Sequence, residues 1–151
     1  MRRRPAHPTP VERHNEPVIL WLTACTQARK PILARDDVHA LLRDSWKKAN
    51  TWIVGRYIIM PDHVHLFCSP AVWPWTAVER WVAFWKSLAS RVWPRREEQP
   101  IWQRDVWDTQ LRKCDDYGSK WEYLRANPVR AGLVENADDW PYQGQMHTLD
   151  W

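Results

Sequence analysis

Three observations predict an α+β fold of ferredoxin-like kind, an antiparallel sheet with helices packed mainly on one face. Two apolar runs, Trp52–Met60 and His63–Cys68, meet across a Met60-Pro61-Asp62 turn, and so short a connection makes them an antiparallel hairpin. Residues 36–50 and 76–92 carry apolar side chains at helical spacing along one stripe. With a first strand, a fourth strand and a last helix added, the order is strand, helix, strand, strand, helix, strand, helix, which describes such a sheet with its helices largely on one face.

Each element has its own warrant. Residues 1–16 are rich in Pro, Arg and His without hydrophobic period and read as a flexible basic arm. Residues 17–145 form a single domain, and 146–151 a C-terminal tail. Val18–Cys25 has the length and β-branched or aromatic content of a buried strand. Asp36 is the expected N-cap of a helix whose stripe is Val38, Leu41, Leu42, Ser45, Trp46 and Ala49. Gly55 marks a bulge in the second strand. Thr76 with Glu79 reads as a capping box ahead of Val78, Trp81, Val82, Trp85, Leu88, Ala89 and Val92, and Pro94 stops the helix. Arg80, Ser87 and Arg91 lie on its opposite side, which could contact phosphates but reads better as a solvated surface. Residues 101–112 contain a short fourth strand. Asp115, or Ser119 with Glu122, caps the last helix, which Asn127-Pro128 redirects into a further turn ended by Gly132.

A length of 151 residues suits one domain, and 44% hydrophobic residues suffice to fold it. A net charge of +4 and a pI near 9.1 suit a polyanionic partner without demanding one. The 13 Trp are expected mainly in the core. Cys25, Cys68 and Cys114 are widely spaced, odd in number and form no CxxC pair, which argues against a disulfide framework or zinc ribbon and for a reducing cytoplasm. Neither a secretory leader nor a membrane span is expected, because Met1-Arg2-Arg3-Arg4 leads into prolines and no window is long and apolar enough.

The chemistry concentrates in two stretches. On a strand, His63 and His65 project to one face while Val64 and Leu66 point into the core, so two imidazoles form a claw for a divalent metal. Two such histidines can equally stand on an exposed sheet face. Here the first follows directly on a turn at the sheet's rim, where a ligand would sit. His7, His14, His39 and His147 lack that setting and read as surface residues. On the last helix, Tyr117, Trp121 and Leu124 form the apolar stripe, whereas Tyr123 shares a flank with Asp116, Lys120 and Asn127. A phenol there can reach a substrate as a nucleophile, or merely hydrogen-bond.

The joint pattern is more specific than either motif. Met60-Pro61-Asp62-His63-Val64-His65-Leu66, Ile101-Trp102-Gln103 with Trp107-Asp108 and Leu111-Arg112, and Tyr123 through Asn127-Pro128-Val129-Arg130-Ala131-Gly132-Leu133-Val134 to Asp139-Trp140-Pro141 resemble the REP-associated tyrosine transposases, within the HUH single-tyrosine (IS200-like) group. The resemblance spans residues 17 to 142. It implies that His63 and His65 are the HUH pair, Tyr123 the nucleophile and Asn127 a third metal ligand. Asp62 stands where the motif usually has Asn, and Gly118 is also unusual there.

The implied activity is a metal-dependent single-strand DNA endonuclease and strand transferase, using Mg²⁺ or Mn²⁺ and a 5′-phosphotyrosine intermediate on hairpin-containing DNA. A free phenol with a pKa of about 10 attacks phosphate poorly, so a metal that polarises the phosphate is what the reaction needs. Arg104, Arg112, Lys120, Arg125 and Arg130 surround the motifs and are candidate nucleic-acid contacts; Trp102 and Trp107 could stack on bases, with core packing the default. Two alternatives are a catalytically silent hairpin-binding module and a metal phosphoesterase that uses water in place of Tyr123. Monomer and homodimer are equally compatible with the sequence.

Overall fold

The computed structural model describes residues 18–112 and 116–149. Its main elements are β1 (Leu20–Cys25), α1 (Asp36–Lys48), β2 (Trp52–Ile59), β3 (His63–Pro70), α2 (Val78–Arg91), β4 (Trp107–Gln110), α3 (Tyr117–Arg125), α4 (Asn127–Arg130) and β5 (Gln143–Gln145). The strands form one antiparallel sheet in the order β4-β1-β3-β2-β5. This is the α+β class expected, with the two long helices on one face and α3 on the other.

Alternation along the strands builds both faces. Leu20, Leu22 and Ala24 of β1 and Val64, Leu66 and Cys68 of β3 are buried beneath Val38, Leu42 and Trp46 of α1 and Trp81, Val82, Trp85 and Ala89 of α2. On the other side Ile19, Ile58, Met60 and Phe67 pack with Trp121 and Leu124 of α3, Trp140 and Leu149. The expected bulge is present, because pairing with β3 slips between Val54 and Tyr57. It turns Trp52 and Val54, then Tyr57 and Ile59, toward the same core. The backbone N–H of Arg56 donates instead to the Tyr117 hydroxyl, 2.9 Å away. Gly55 makes this crossing possible: a Cβ there would lie 2.6 Å from both the Tyr117 oxygen and Leu149.

Helix starts depart from the sequence reading. Arg35, not Asp36, precedes α1, and Ala77, not Thr76, precedes α2, neither with a side-chain cap. Ser119 lies inside α3, where its hydroxyl donates to Asp116, the residue before the helix; Asp115 and Cys114 lie outside the described residues. Packing of the apolar stripes fixes these starts more than capping does. Val92 is 62% exposed rather than part of the stripe. His39 is half-buried on α1, its Nε2 2.6 Å from the Tyr57 hydroxyl, and burial lowers its pKa. β5 was not foreseen, and beyond it the N–H groups of Met146 and His147 donate to Gly55 and Val54. Among the described residues, no helix is long and apolar enough to cross a membrane.

Candidate metal and nucleophile site

The turn between β2 and β3 is bolted in place before it presents any ligand. Met60 N–H donates to the His63 carbonyl, Leu33 N–H to that of Pro61, and Thr26 N–H to that of Asp62, at 2.8, 2.9 and 3.0 Å. His63 and His65 then emerge on one face, as the strand period requires, with ring centroids 4.7 Å apart. Both rings are held through Nδ1. That of His63 lies 2.7 Å from Asp62 Oδ1, and that of His65 lies 2.8 Å from Thr23 Oγ1 on the neighbouring strand. In a ring so held, Nε2 is the nitrogen left for a metal.

The electrostatics favour a neutral imidazole at His65. Burial, followed by the nearby His63 and Arg29 charges, pushes its pKa down to about 3. Burial works against the Asp62 carboxylate, but hydrogen bonds from Arg29 and His63 outweigh it and hold the group below the ordinary range. Arg29 was not foreseen. It sits on left-handed backbone, φ 54, after Ala28 at φ 56, and donates through Nε to Asp62 Oδ2 at 2.9 Å. A second guanidinium nitrogen lies 3.5 Å from His63 Nδ1. Nothing in the residue spacing signals this loop contact. Thr23 was more findable, being the polar residue in an otherwise apolar strand.

Tyr123 is 62% exposed on α3, off the apolar stripe as expected. The Arg130 guanidinium lies 4.4 Å over its ring and donates to the Tyr123 carbonyl and to Asn127 Oδ1. One arginine therefore holds both the candidate nucleophile's backbone and the candidate amide ligand. Trp121 and Leu124 dock α3 on the same sheet face that bears the histidines. Among the described residues, no hydrogen bond, ion pair or ring contact joins Tyr123 or Asn127 to either histidine, and no group of three His, Cys, Asp or Glu side chains could hold a metal ion. The structure thus brings His63 and His65 together, brings Tyr123 and Asn127 together, and does not bring the two pairs into contact.

The candidate basic residues divide. Arg125 is engaged by Glu122 and Asp138, which tie α3 to the 3-10 turn at Ala137–Asp139. Arg104 and Arg112 are exposed on either side of β4, and Lys120 is half-buried on α3. Of the two tryptophans, Trp102 is 8% exposed and belongs to the core, whereas Trp107 is 45% exposed.

No family model matches the chain. Among curated proteins it is similar to the REP-associated tyrosine transposase of Escherichia coli K12, 25% identical over 123 residues, covering 75% of this chain and 69% of that protein. A Haemophilus influenzae protein bearing the same family name is 30% identical over 112 residues, covering 62% of each. Among solved structures, a REP-associated tyrosine transposase bound to a REP hairpin superposes with a TM-score of 0.68 at 21% identity, over 88% of this chain and 80% of that one. A transposase-like protein of Deinococcus radiodurans R1 gives 0.54 at 19%, over 78% and 95%. These two carry the fold.

Proposed function

We propose that this chain, a relative of the REP-associated tyrosine transposases by sequence and by fold, is a metal-dependent enzyme that cuts and rejoins single-stranded DNA beside a hairpin. The observation that carries this reading is the histidine pair, two rings 4.7 Å apart, each anchored through Nδ1 so that both Nε2 atoms remain for a metal. His63 and His65 would hold Mg²⁺ or Mn²⁺, with the Asn127 amide oxygen as third donor once Arg130 yields it. A donor set of imidazole and amide oxygen fits such an ion better than a closed structural zinc site. Bound there, the metal supplies Lewis-acid polarisation of the scissile phosphate and offsets its charge.

The protein's own groups do the rest. The exposed Tyr123 oxygen forms a bond to phosphorus as the bond from phosphorus to the 3′ oxygen breaks; the phenol loses a proton and the 3′ oxygen gains one. The products are a 5′-phosphotyrosine and a 3′-hydroxyl, and the reverse step rejoins a strand without external energy. The Arg130 guanidinium lies over the ring where phenolate character develops.

The test is incubation of the protein with Mn²⁺ and a hairpin from the gene's own flank, followed by denaturing gels. A DNA adduct that resists SDS and disappears in Tyr123→Phe, in His63→Ala and with chelator is the expected result. Cleavage without adduct, surviving Tyr123→Phe, would replace this reading with a water-using phosphoesterase. A second reading, a hairpin-binding module that does not cut, draws on the engagement of Asn127 by Arg130; binding with neither cleavage nor adduct would establish it.

A further inference from the structure

We infer that Trp107 is a stacking platform for an unpaired base of single-stranded nucleic acid lying across the histidine-bearing face, an inference that deepens the function proposed above. The sheet register places it. Trp107 pairs with Thr23, and Thr23 pairs with His65, so the three residues form one rung across β4, β1 and β3. Directly opposed residues in an antiparallel sheet share a face. Trp107 and His65 therefore stand on the same side, two strand spacings or about 10 Å apart, a separation within the span of a dinucleotide.

Core packing does not account for this indole. The molecule buries Trp52, Trp81, Trp85 and Trp102, each at most 8% exposed, yet leaves Trp107 45% exposed on the strand that ends the sheet. Trp73 is more exposed still, but it follows the far end of β3, away from His63. The segment leading into Trp107 is held firmly, and β4 pairs the tryptophan's own backbone with Thr23. Gln103 N–H donates to the Cys25 carbonyl, the buried Lys86 ammonium donates to the Gln103 and Asp105 carbonyls at 2.9 and 3.4 Å, and Val106 is buried in the core.

Charge at the two ends of the rung suits a phosphate backbone. Arg104, three residues before the tryptophan, is exposed; at the other end the Arg29 guanidinium, its Nε paired with Asp62, keeps a second nitrogen beside His63. A strand laid from Arg104 toward Arg29 would put a base on the indole and its neighbouring phosphate near the histidines. Stacking of this kind tolerates any base, because every base has a π face.

The experiment measures anisotropy of a fluorescein-labelled hairpin with a single-stranded overhang from the gene's flank, in chelator so that nothing is cut. An abasic site is stepped through the overhang, one position at a time. Trp107→Ala is expected to weaken binding about five- to a hundredfold, and Trp107→Phe to restore most of it. One abasic position should weaken wild type similarly and have no further effect in Trp107→Ala. Mn²⁺ affinity by calorimetry should be the same in both proteins, which reports that the variant is folded around an intact histidine pair. Equal binding by Trp107→Ala, or an abasic profile unchanged by it, would overturn the inference even where wild type forms the adduct. Failure of wild type to bind any single strand would remove both proposals, whereas a stacking signature without adduct would leave the platform standing and remove the strand-transfer reading.

Discussion

Asp62 does two things at once: it accepts from His63 and receives the Arg29 guanidinium, so the first candidate ligand is oriented from a side chain that is itself fixed. Carboxylates in that position hold a ligating imidazole's tautomer and raise its basicity, with losses of roughly ten- to a hundredfold in metal affinity when removed. Asp62→Ala should therefore weaken Mn²⁺ binding within that range by calorimetry, and Asp62→Asn, which retains an acceptor oxygen, should lose less. An unchanged affinity in Asp62→Ala would show that the carboxylate does not position the ring. The histidine pair was legible because a strand's period of two leaves no choice about which side chains share a face. Arg29 was not, since it arrives through a loop whose left-handed backbone at Ala28 and Arg29 has no signature in residue type. The link between Tyr123 and Asn127 was legible from helical spacing, while Arg130's grip on both came only with the fold.

At the scale of elements, the bulge in β2 joins the hairpin to α3, because the N–H it frees is taken by Tyr117, the first residue of that helix. Gly55→Ala would drive a methyl group into the Tyr117 oxygen and Leu149. A cost of about 1–3 kcal/mol is expected, read as a lowered urea midpoint, and a midpoint unchanged from wild type would show that the helix adjusts freely. In the main core, Trp85 is fully buried and meets Trp46, Trp81 and Trp102 edge to face. Trp85→Ala should cost roughly 3–5 kcal/mol, measurable in the same denaturation. Long periodic elements and the glycine at the bulge could be read from residues alone. β5 could not, since Gln143-Gly144-Gln145 has no apolar alternation and becomes a strand only by pairing with β2. Trp107 shows the same limit from the other side: aromatic content suggested core, and only the position of β4 at the end of the sheet decides that one of its faces stays open.

Across the whole molecule, the neutral state of His65 links folding to pH. Its folded pKa of about 3 lies below the ordinary 6.5, so the unfolded chain takes up the proton first as pH falls. The stability it contributes is fully present above pH 6.5 and is lost progressively as pH drops toward 3. With chelator present, the urea midpoint should decline from pH 7 to pH 4, and His65→Gln should flatten that decline. A decline of equal slope in the variant would assign it to other groups. The sheet's order has a consequence of another kind. Its two longest strands, β2 and β3 at 8 residues each, lie inside, while the boundary strands β4 and β5 have 4 and 3. Boundary strands this short offer few free backbone groups as a template for another chain. The sheet thereby limits the surface on which copies of the chain could polymerise.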